Sequence, residues 1–208
     1  MTTVLVVTGG EAVPTPTSAD LPDADIVIAA DSGLDHARLL GLEPTMIVGD
    51  FDSASPESVT SFEGPIERHP AEKDATDLEL ALAAAVSHDP ARIVVVGGYG
   101  GRLDHFLANA LVLTTVPPGI EVEWRVGPAT VHLVRDTVTI SGQIGATVSL
   151  VPVGGDAEGV RTSGLRWQLA NERLPSGGTR GVSNVFADSS ATISVESGAL
   201  LVVLPGPE

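Results

Sequence analysis

The sequence contains no cysteine, which excludes disulfides, thiolate metal sites and cysteine nucleophiles. Aromatic residues make up only 3 %, so a core has to be assembled from Val, Leu, Ile and Ala, and a hydrophobic content of 43 % is enough to do so. No run approaches the ~18 consecutive apolar residues of a membrane span, and no membrane partner is expected. The opening "MTTVLVVTGG" has no basic segment ahead of its apolar run, so a secretory signal is not expected and a cytoplasmic location is. Basic residues are scarce as well. Eleven Lys and Arg stand against 27 Asp and Glu, giving a net charge of -16, and they form no cluster. A phosphate-backbone binder needs a basic face, so nucleic acid is not an expected partner. The five histidines show no zinc spacing, and no G-x-S-x-G nucleophile elbow is present.

The pattern that is present changes character near residue 127. Before it, "TVLVV", "IVIAA", "MIV" and "RIVVV" read as short strands buried on both faces, as in a covered parallel sheet. Helical patterns separate them: "GLDHARLLG", "PESVTSF" and "TDLELALAAAVSH". In the last, Leu78, Leu82 and Val86 recur every four residues, and Thr76 with Glu79 forms a capping box that starts the helix at Thr76 or Asp77. A further helix over about 103–115 carries Leu103, Leu107 and Leu111 on one face. The stretch 12–22 reads as a proline-rich loop, and "EVEWRVG" could close the first sheet or open a second domain. From about 128 only short β-rich runs remain, spaced by Gly, Pro, Ser and Asp. The expected fold is therefore α/β, a doubly wound, mostly parallel, Rossmann-like sheet over 1–127, followed by an all-β sandwich over 128–208.

In an open parallel sheet, ligands bind beyond the carboxyl ends of the strands. Asp31 follows "IVIAA"; Asp50 and Asp52 follow "MIVG"; Arg102 and Asp104 follow "RIVVVGGYGG"; Lys73, Asp74 and Asp77 lie in "EKDATD" at a helix start. Each acid alone has a bland explanation as a helix cap or a first-turn charge. Capping does not explain why they gather at one edge, nor why Asp50 and Asp52 come as a pair. A hard divalent cation does, since Mg²⁺ takes a few carboxylate oxygens and bridges to phosphates. The run "GGYGG" (97–101) fits a backbone turn close to phosphate oxygens, although a plain tight turn fits it equally.

In series, "AADSGLDHARLLGLEPTMIVGDFDS", "EKDATDLELAL" and "GGYGGRLDH", with "TSGLRWQL" and "GVSN" in the second half, resemble the thiamine pyrophosphokinase (thiamine diphosphokinase) family over most of the chain. Two departures stand out: Ser32 replaces a glycine in the usual A-D-G-G, and Val182 precedes the serine of "GVSN". The resemblance implies an enzyme that transfers the terminal diphosphate of ATP to the hydroxyl of thiamine, with Mg²⁺, as a homodimer whose site lies at the subunit interface. It implies a metal set of Asp50, Asp52 and Asp77. Asp31, Ser32, Lys73, Asp74, Gly100, Gly101 and Arg102 would hold the nucleotide. Arg102 would meet the polyphosphate, while Asp104 could hold Arg102, bind a metal-bound water or accept the hydroxyl proton. Trp167, Ser183 and Asn184 would contact thiamine; for Trp167 a core or interface filler is the competing reading. A diphosphokinase for a pterin alcohol, a silent nucleotide-binding regulatory protein and a plain phosphohydrolase remain the alternatives.

Overall fold

A computed structural model describes residues 1–11 and 21–206; most of the loop expected over 12–22 lies outside the described residues. The chain divides into two compact units, Met1–Pro128 and Ala129–Glu208.

Among the described residues the first unit is built on six strands: β1 (Thr3–Val7), β2 (Ile26–Ala30), β3 (Met46–Gly49), β4 (Ile66–Arg68), β5 (Arg92–Val96) and β6 (Glu121–Val126). Their spatial order is β6-β5-β1-β2-β3-β4, and every pairing is parallel. "EVEWRVG" thus closes this sheet. The chain moves outward from β1 to β4 and then returns to the other side of β1. The direction of winding reverses between β1 and β5, which makes that gap the switch point. Helices α1 (Gly33–Leu39), α2 (Pro56–Thr60), α3 (Asp77–Val86) and α4 (Leu103–Val112) connect the strands, and a 3₁₀ turn, Leu113–Thr115, extends α4.

Both faces of the sheet are covered. Leu5, Val7, Val27, Val94 and Val96 pack with Ala37 of α1, and the alternate residues Val4, Val6, Ile28, Ile93 and Val95 are equally buried. This is why the strands read as continuous apolar runs. Helix α3 starts where the capping box places it: Thr76 is the N-cap, and its side chain accepts from the Glu79 N–H at 3.2 Å. Leu78 and Leu82 are buried as the four-residue spacing requires. Helix α4 differs. Leu103, Leu107 and Leu111 share a face, but that face is exposed, at 70, 54 and 59 %. The sheet side of α4 is formed instead by Phe106, which meets Trp124 at 5.7 Å between ring centroids, and by buried Asn109.

The second unit contains two antiparallel sheets. One has the order β12-β9-β14-β7, from Asn184–Val185, Thr147–Pro152, Leu200–Leu204 and Ala129–Val134. The other has the order β11-β10-β13-β8, from Ala170–Leu174, Ala157–Ser163, Ser190–Ser194 and Thr137–Ser141. Val134, Val148, Leu150 and Val202 from one sheet meet Ile140, Val160, Leu174 and Ile193 from the other in one core, so the unit is a sandwich. Two strands escape the sequence pattern: Ile66–Arg68 has only three residues, and Ala170–Leu174 ("ANERL") is largely polar.

Gly33 shows how tightly α1 is set on the sheet. A Cβ there would lie 2.1 Å from the Val7 carbonyl oxygen, which is backbone and cannot turn aside. Gly33→Ala is expected to cost about 2 kcal/mol or more through overpacking. In thermal unfolding that corresponds to a fall of about 4–8 °C.

Candidate active site

Because the six strands are parallel, the residues after β2, β3, β4 and β5 all emerge at one edge. The backbone there is unusual. Asp31 has φ 48° and Phe51 has φ 64°, a conformation in which a bulky residue is strained. Phe51 holds it because its ring packs against Ala29, Leu34 and Ile47, while the Arg68 guanidinium sits 4.9 Å above the ring and donates to the Asp50 carbonyl at 3.3 Å. The inverted residue lets the acids on either side of it, Asp50 and Asp52, serve one patch. Asp52 N–H also donates to Asp50 Oδ1 at 3.2 Å, and Ser53 Oγ donates to Asp52 Oδ1 at 2.8 Å. At Gly49 a Cβ would lie 3.0 Å from Asp77 Oδ1 and 3.3 Å from the Asp31 Cβ, so this glycine leaves room for both acids.

One carboxylate oxygen from each of Asp31, Asp50 and Asp52 lies within 4.8 Å of the others. Asp77 closes the group from the start of α3. The Lys73 ammonium stands 2.8 Å from Asp50 Oδ2 and 2.8 Å from Asp77 Oδ1. The second contact is close without hydrogen-bond alignment, and Asp77 Oδ1 remains unsatisfied. The positive charge beside the aspartate pair is therefore a lysine. Its bond holds the Asp50 carboxyl below the usual aspartate range. Burial alone would lower the Lys73 ammonium, but the carboxylates of Asp50 and Asp77 beside it set it above its ordinary value.

Asp31 is the costly member. It is 8 % exposed, and its Oδ1 is buried with no hydrogen-bond partner among the described residues. Burial raises its pKa, and the charges of Asp77, Asp52 and Asp50 raise it further. It does not cap α1: the N-cap is Ser32, which makes no side-chain cap bond. Four carboxylates against one ammonium leave an excess of negative charge, and two buried oxygens, Asp31 Oδ1 and Asp77 Oδ1, have no hydrogen-bond partner among the described residues. Hard oxygen donors in this arrangement suit Mg²⁺. The set with oxygens within 4.8 Å of one another is Asp31, Asp50 and Asp52; Asp77, also expected as a ligand, stands beside Lys73 as Asp50 does.

The other expected residues are spread over neighbouring turns and the second unit. Ser32 Oγ lies against Gly9, where a Cβ would stand 2.2 Å from it. Asp74 is exposed in the turn before α3. Gly100 and Gly101 have φ of 75° and 65°, and Gly100 packs against the Glu11 side chain. The two glycine-rich turns meet at the switch point, where Gly98 N–H donates to the Gly9 carbonyl at 2.6 Å. Arg102 and Asp104, at the start of α4, form a two-pronged pair at 3.1 and 2.6 Å. The Arg102 bonds lower the exposed Asp104 carboxyl to about 2.

In the second unit, Trp167, Ser183 and Asn184 line a cavity of about 510 Å³ with Gln168, Thr179, Arg180 and Val182 among its other walls. Trp167 is 55 % exposed, so it is not a core filler within the chain. Asn184 is buried and largely committed to holding it. Its Oδ1 accepts from the N–H groups of Trp167 and Val185, and its Nδ2 donates to the Trp167 carbonyl at 2.7 Å.

The "Thiamin pyrophosphokinase, catalytic domain" family matches residues 19–123, just over half of the chain. The chain belongs to the thiamin pyrophosphokinase family. The "vitamin B1 binding domain" of the same family matches residues 135–200. A thiamine pyrophosphokinase of Bacillus subtilis is 28 % identical over 98 % of this chain and 98 % of its own length. Thiamine pyrophosphokinase 1 of Oryza sativa is 29 % identical over 74 % of the chain, which spans 64 % of that relative. Among solved structures, the Bacillus subtilis thiamine pyrophosphokinase superposes with a TM-score of 0.85 at 25 % identity, covering 99 % of this chain and 100 % of that one. The Geobacillus thermodenitrificans thiamin pyrophosphokinase gives 0.78 at 29 %, covering 97 % and 96 %.

Sequence reasoning missed Arg68, Asp35, Ser55 and Ser58. Nothing in a three-residue strand or a serine-rich turn marks them, and only the fold shows them bracing the loop that carries Asp50 and Asp52. A raised carboxyl contributes stability below its unfolded pKa and loses it as pH rises through the folded value, so ionised Asp31 is a burden at neutral pH. Asp31→Asn in the metal-free protein is expected to raise the melting temperature at neutral pH by about 2–4 °C, or ~1 kcal/mol. That gain should shrink as the pH is lowered through the Asp31 titration.

Proposed function

We propose that the chain is a thiamine pyrophosphokinase: it transfers the terminal diphosphate of ATP to the thiamine hydroxyl and releases AMP. The observation that carries the reading is the acidic rim, where Asp31, Asp50 and Asp52 converge and a buried Asp31 oxygen has no hydrogen-bond partner among the described residues. Family membership and the names of the relatives support thiamine as the acceptor.

Asp31, Asp50 and Asp52 would hold Mg²⁺, which when bound neutralises charge on the polyphosphate. Lys73 fixes the separation of Asp50 and Asp77 and keeps Asp50 ionised. The glycine turns after β1 and β5 give the nucleotide close access to backbone at the switch point. Arg102, whose Nε and one terminal nitrogen are held by Asp104, would meet phosphate oxygens with its remaining N–H donors. In the reaction the hydroxyl oxygen bonds to the β-phosphorus, and the bond from that phosphorus to the α,β-bridging oxygen breaks. AMP leaves with the bonding electrons, and the hydroxyl proton passes to solvent; of the roles open to Asp104, its pairing with Arg102 favours holding that guanidinium. Trp167, pinned by Asn184, offers a flat wall to the cationic thiazolium, a contact worth roughly 0.5–2 kcal/mol.

A cytoplasmic homodimer belongs to the same reading. No helix among the described residues is long and apolar enough to cross a membrane. The exposed leucines 103, 107 and 111 form one stripe that a second copy would cover. Leu107→Asp is expected to shift the protein from dimer to monomer in sedimentation; a variant that remains dimeric removes α4 from the interface.

Mg²⁺-dependent AMP release with thiamine tests the chemistry. Turnover with thiamine and none with a pterin alcohol or water is expected; the reverse preference overturns the assignment. Asp50→Asn should reduce turnover by more than the ~10–100-fold typical of an outer-sphere change. It should leave the unfolding midpoint within about 2 °C, because it also relieves repulsion.

A further inference from the structure

We propose that Asp35 is a positioning residue for the acidic rim, locking α2 onto α1 and thereby setting where Asp52 lies relative to Asp31 and Asp50. This role rests on the catalytic reading above and belongs to a residue that never touches the rim.

Helix α2 has only five residues. Isolated helices shorter than ~12–15 residues are marginal in water, so α2 cannot hold its place by its own backbone bonds. Its position decides where the loop 50–55 ends, and that loop carries Asp50 and Asp52. Asp31 lies just ahead of α1. The sheet seats Asp31 and Asp50, with the Asp31 N–H donating to the Val48 carbonyl at 2.9 Å, and the placement of α2 against α1 sets where the rest of the loop, with Asp52, lies relative to them.

Asp35 lies in the first turn of α1 and joins the two helices. Its Oδ2 accepts from the Ser55 N–H at 2.9 Å. Its Oδ1 accepts from Ser55 Oγ at 3.0 Å and from Ser58 Oγ in a shorter bond. Ser55 is also the N-cap of α2 and accepts from Ser58 N–H at 3.2 Å. Its single hydroxyl proton serves either Asp35 or Ser58 Oγ, 2.7 Å away. Ser58 is 5 % exposed. One turn further along α1, Arg38 donates to Ser58 Oγ at 2.7 Å, to the Ser58 carbonyl at 3.1 Å and to Ser61 Oγ at 2.9 Å. Two successive turns of α1 thus grip the cap and the first turn of α2. The bonds from Ser58 and Ser55 hold the Asp35 carboxyl below its ordinary range, so it stays an ionised acceptor at neutral pH.

A neutral Asn could accept some of these bonds, but only a carboxylate accepts at both oxygens without presenting an N–H to Ser55. Loss of the lock leaves the individual acids intact and loosens their mutual distances, which a chelated cation reads directly.

The test uses Mn²⁺ with a non-hydrolysable ATP analogue, and free Mn²⁺ is followed by paramagnetic resonance. Asp35→Ala is expected to weaken Mn²⁺ binding about 10–100-fold. Steady-state turnover of the same variant should recover at high Mg²⁺, with an unchanged KM for thiamine. Asp35→Asn should fall between Ala and the parent. Ser58→Ala, which keeps the Ser55 arm, should weaken Mn²⁺ binding less, by about threefold to tenfold, and it tests the lock should Asp35→Ala fail to fold. Mn²⁺ binding within about twofold of the parent in both alanine variants overturns the positioning role while leaving the catalytic reading intact. Failure of the parent itself to bind Mn²⁺ with the nucleotide analogue overturns both.

Discussion

Four aspartates, Asp31, Asp50, Asp52 and Asp77, meet at one rim of the first sheet around a single ammonium, that of Lys73. Their mutual repulsion is the constraint the first unit is organised to withstand. Parallel strands deliver the acids to the same edge, and a rigid sheet keeps them there. Strained backbone at Asp31 and Phe51 turns them toward one patch. Gly49 removes the Cβ that would force Asp77 and Asp31 apart. Each device costs stability locally, and the buried, doubly covered sheet supplies the surplus that makes the cost tolerable.

The supporting shell is polar and shared. Arg68 steadies Phe51 from above, and the Asp35–Ser55–Ser58–Arg38 network steadies α2 from behind. The groups that approach the ligand are few, and they owe their positions to neighbours several residues or one strand away. The second unit repeats the pattern in a different chemistry. Trp167 presents an exposed ring beside a cavity, and Asn184, itself buried, spends most of its amide on the Trp167 backbone.

Much of this was legible without coordinates. Continuous apolar runs marked the parallel strands because a sheet covered on both faces tolerates no polar alternation. The capping box placed the start of α3 at Thr76. The gathering of acids after strands followed from strand direction alone. The strands Ile66–Arg68 and Ala170–Leu174 were not legible, since one is too short and the other too polar to carry a period. The leucine stripe of α4 was legible as a stripe, but not as an exposed one, because periodicity names a face without naming what covers it.

The sequence by itself determined the α/β unit followed by β-strands, the identity of the acids at the strand ends and the family to which the chain belongs. These depend on local pattern and on the order of motifs along the chain. Tertiary structure decided which acids share oxygens within chelating distance, that Lys73 stands between Asp50 and Asp77, and that Asp35 and Arg38 grip α2. Those outcomes depend on distances between residues far apart along the chain, and only the packing of helices on the sheet fixes such distances.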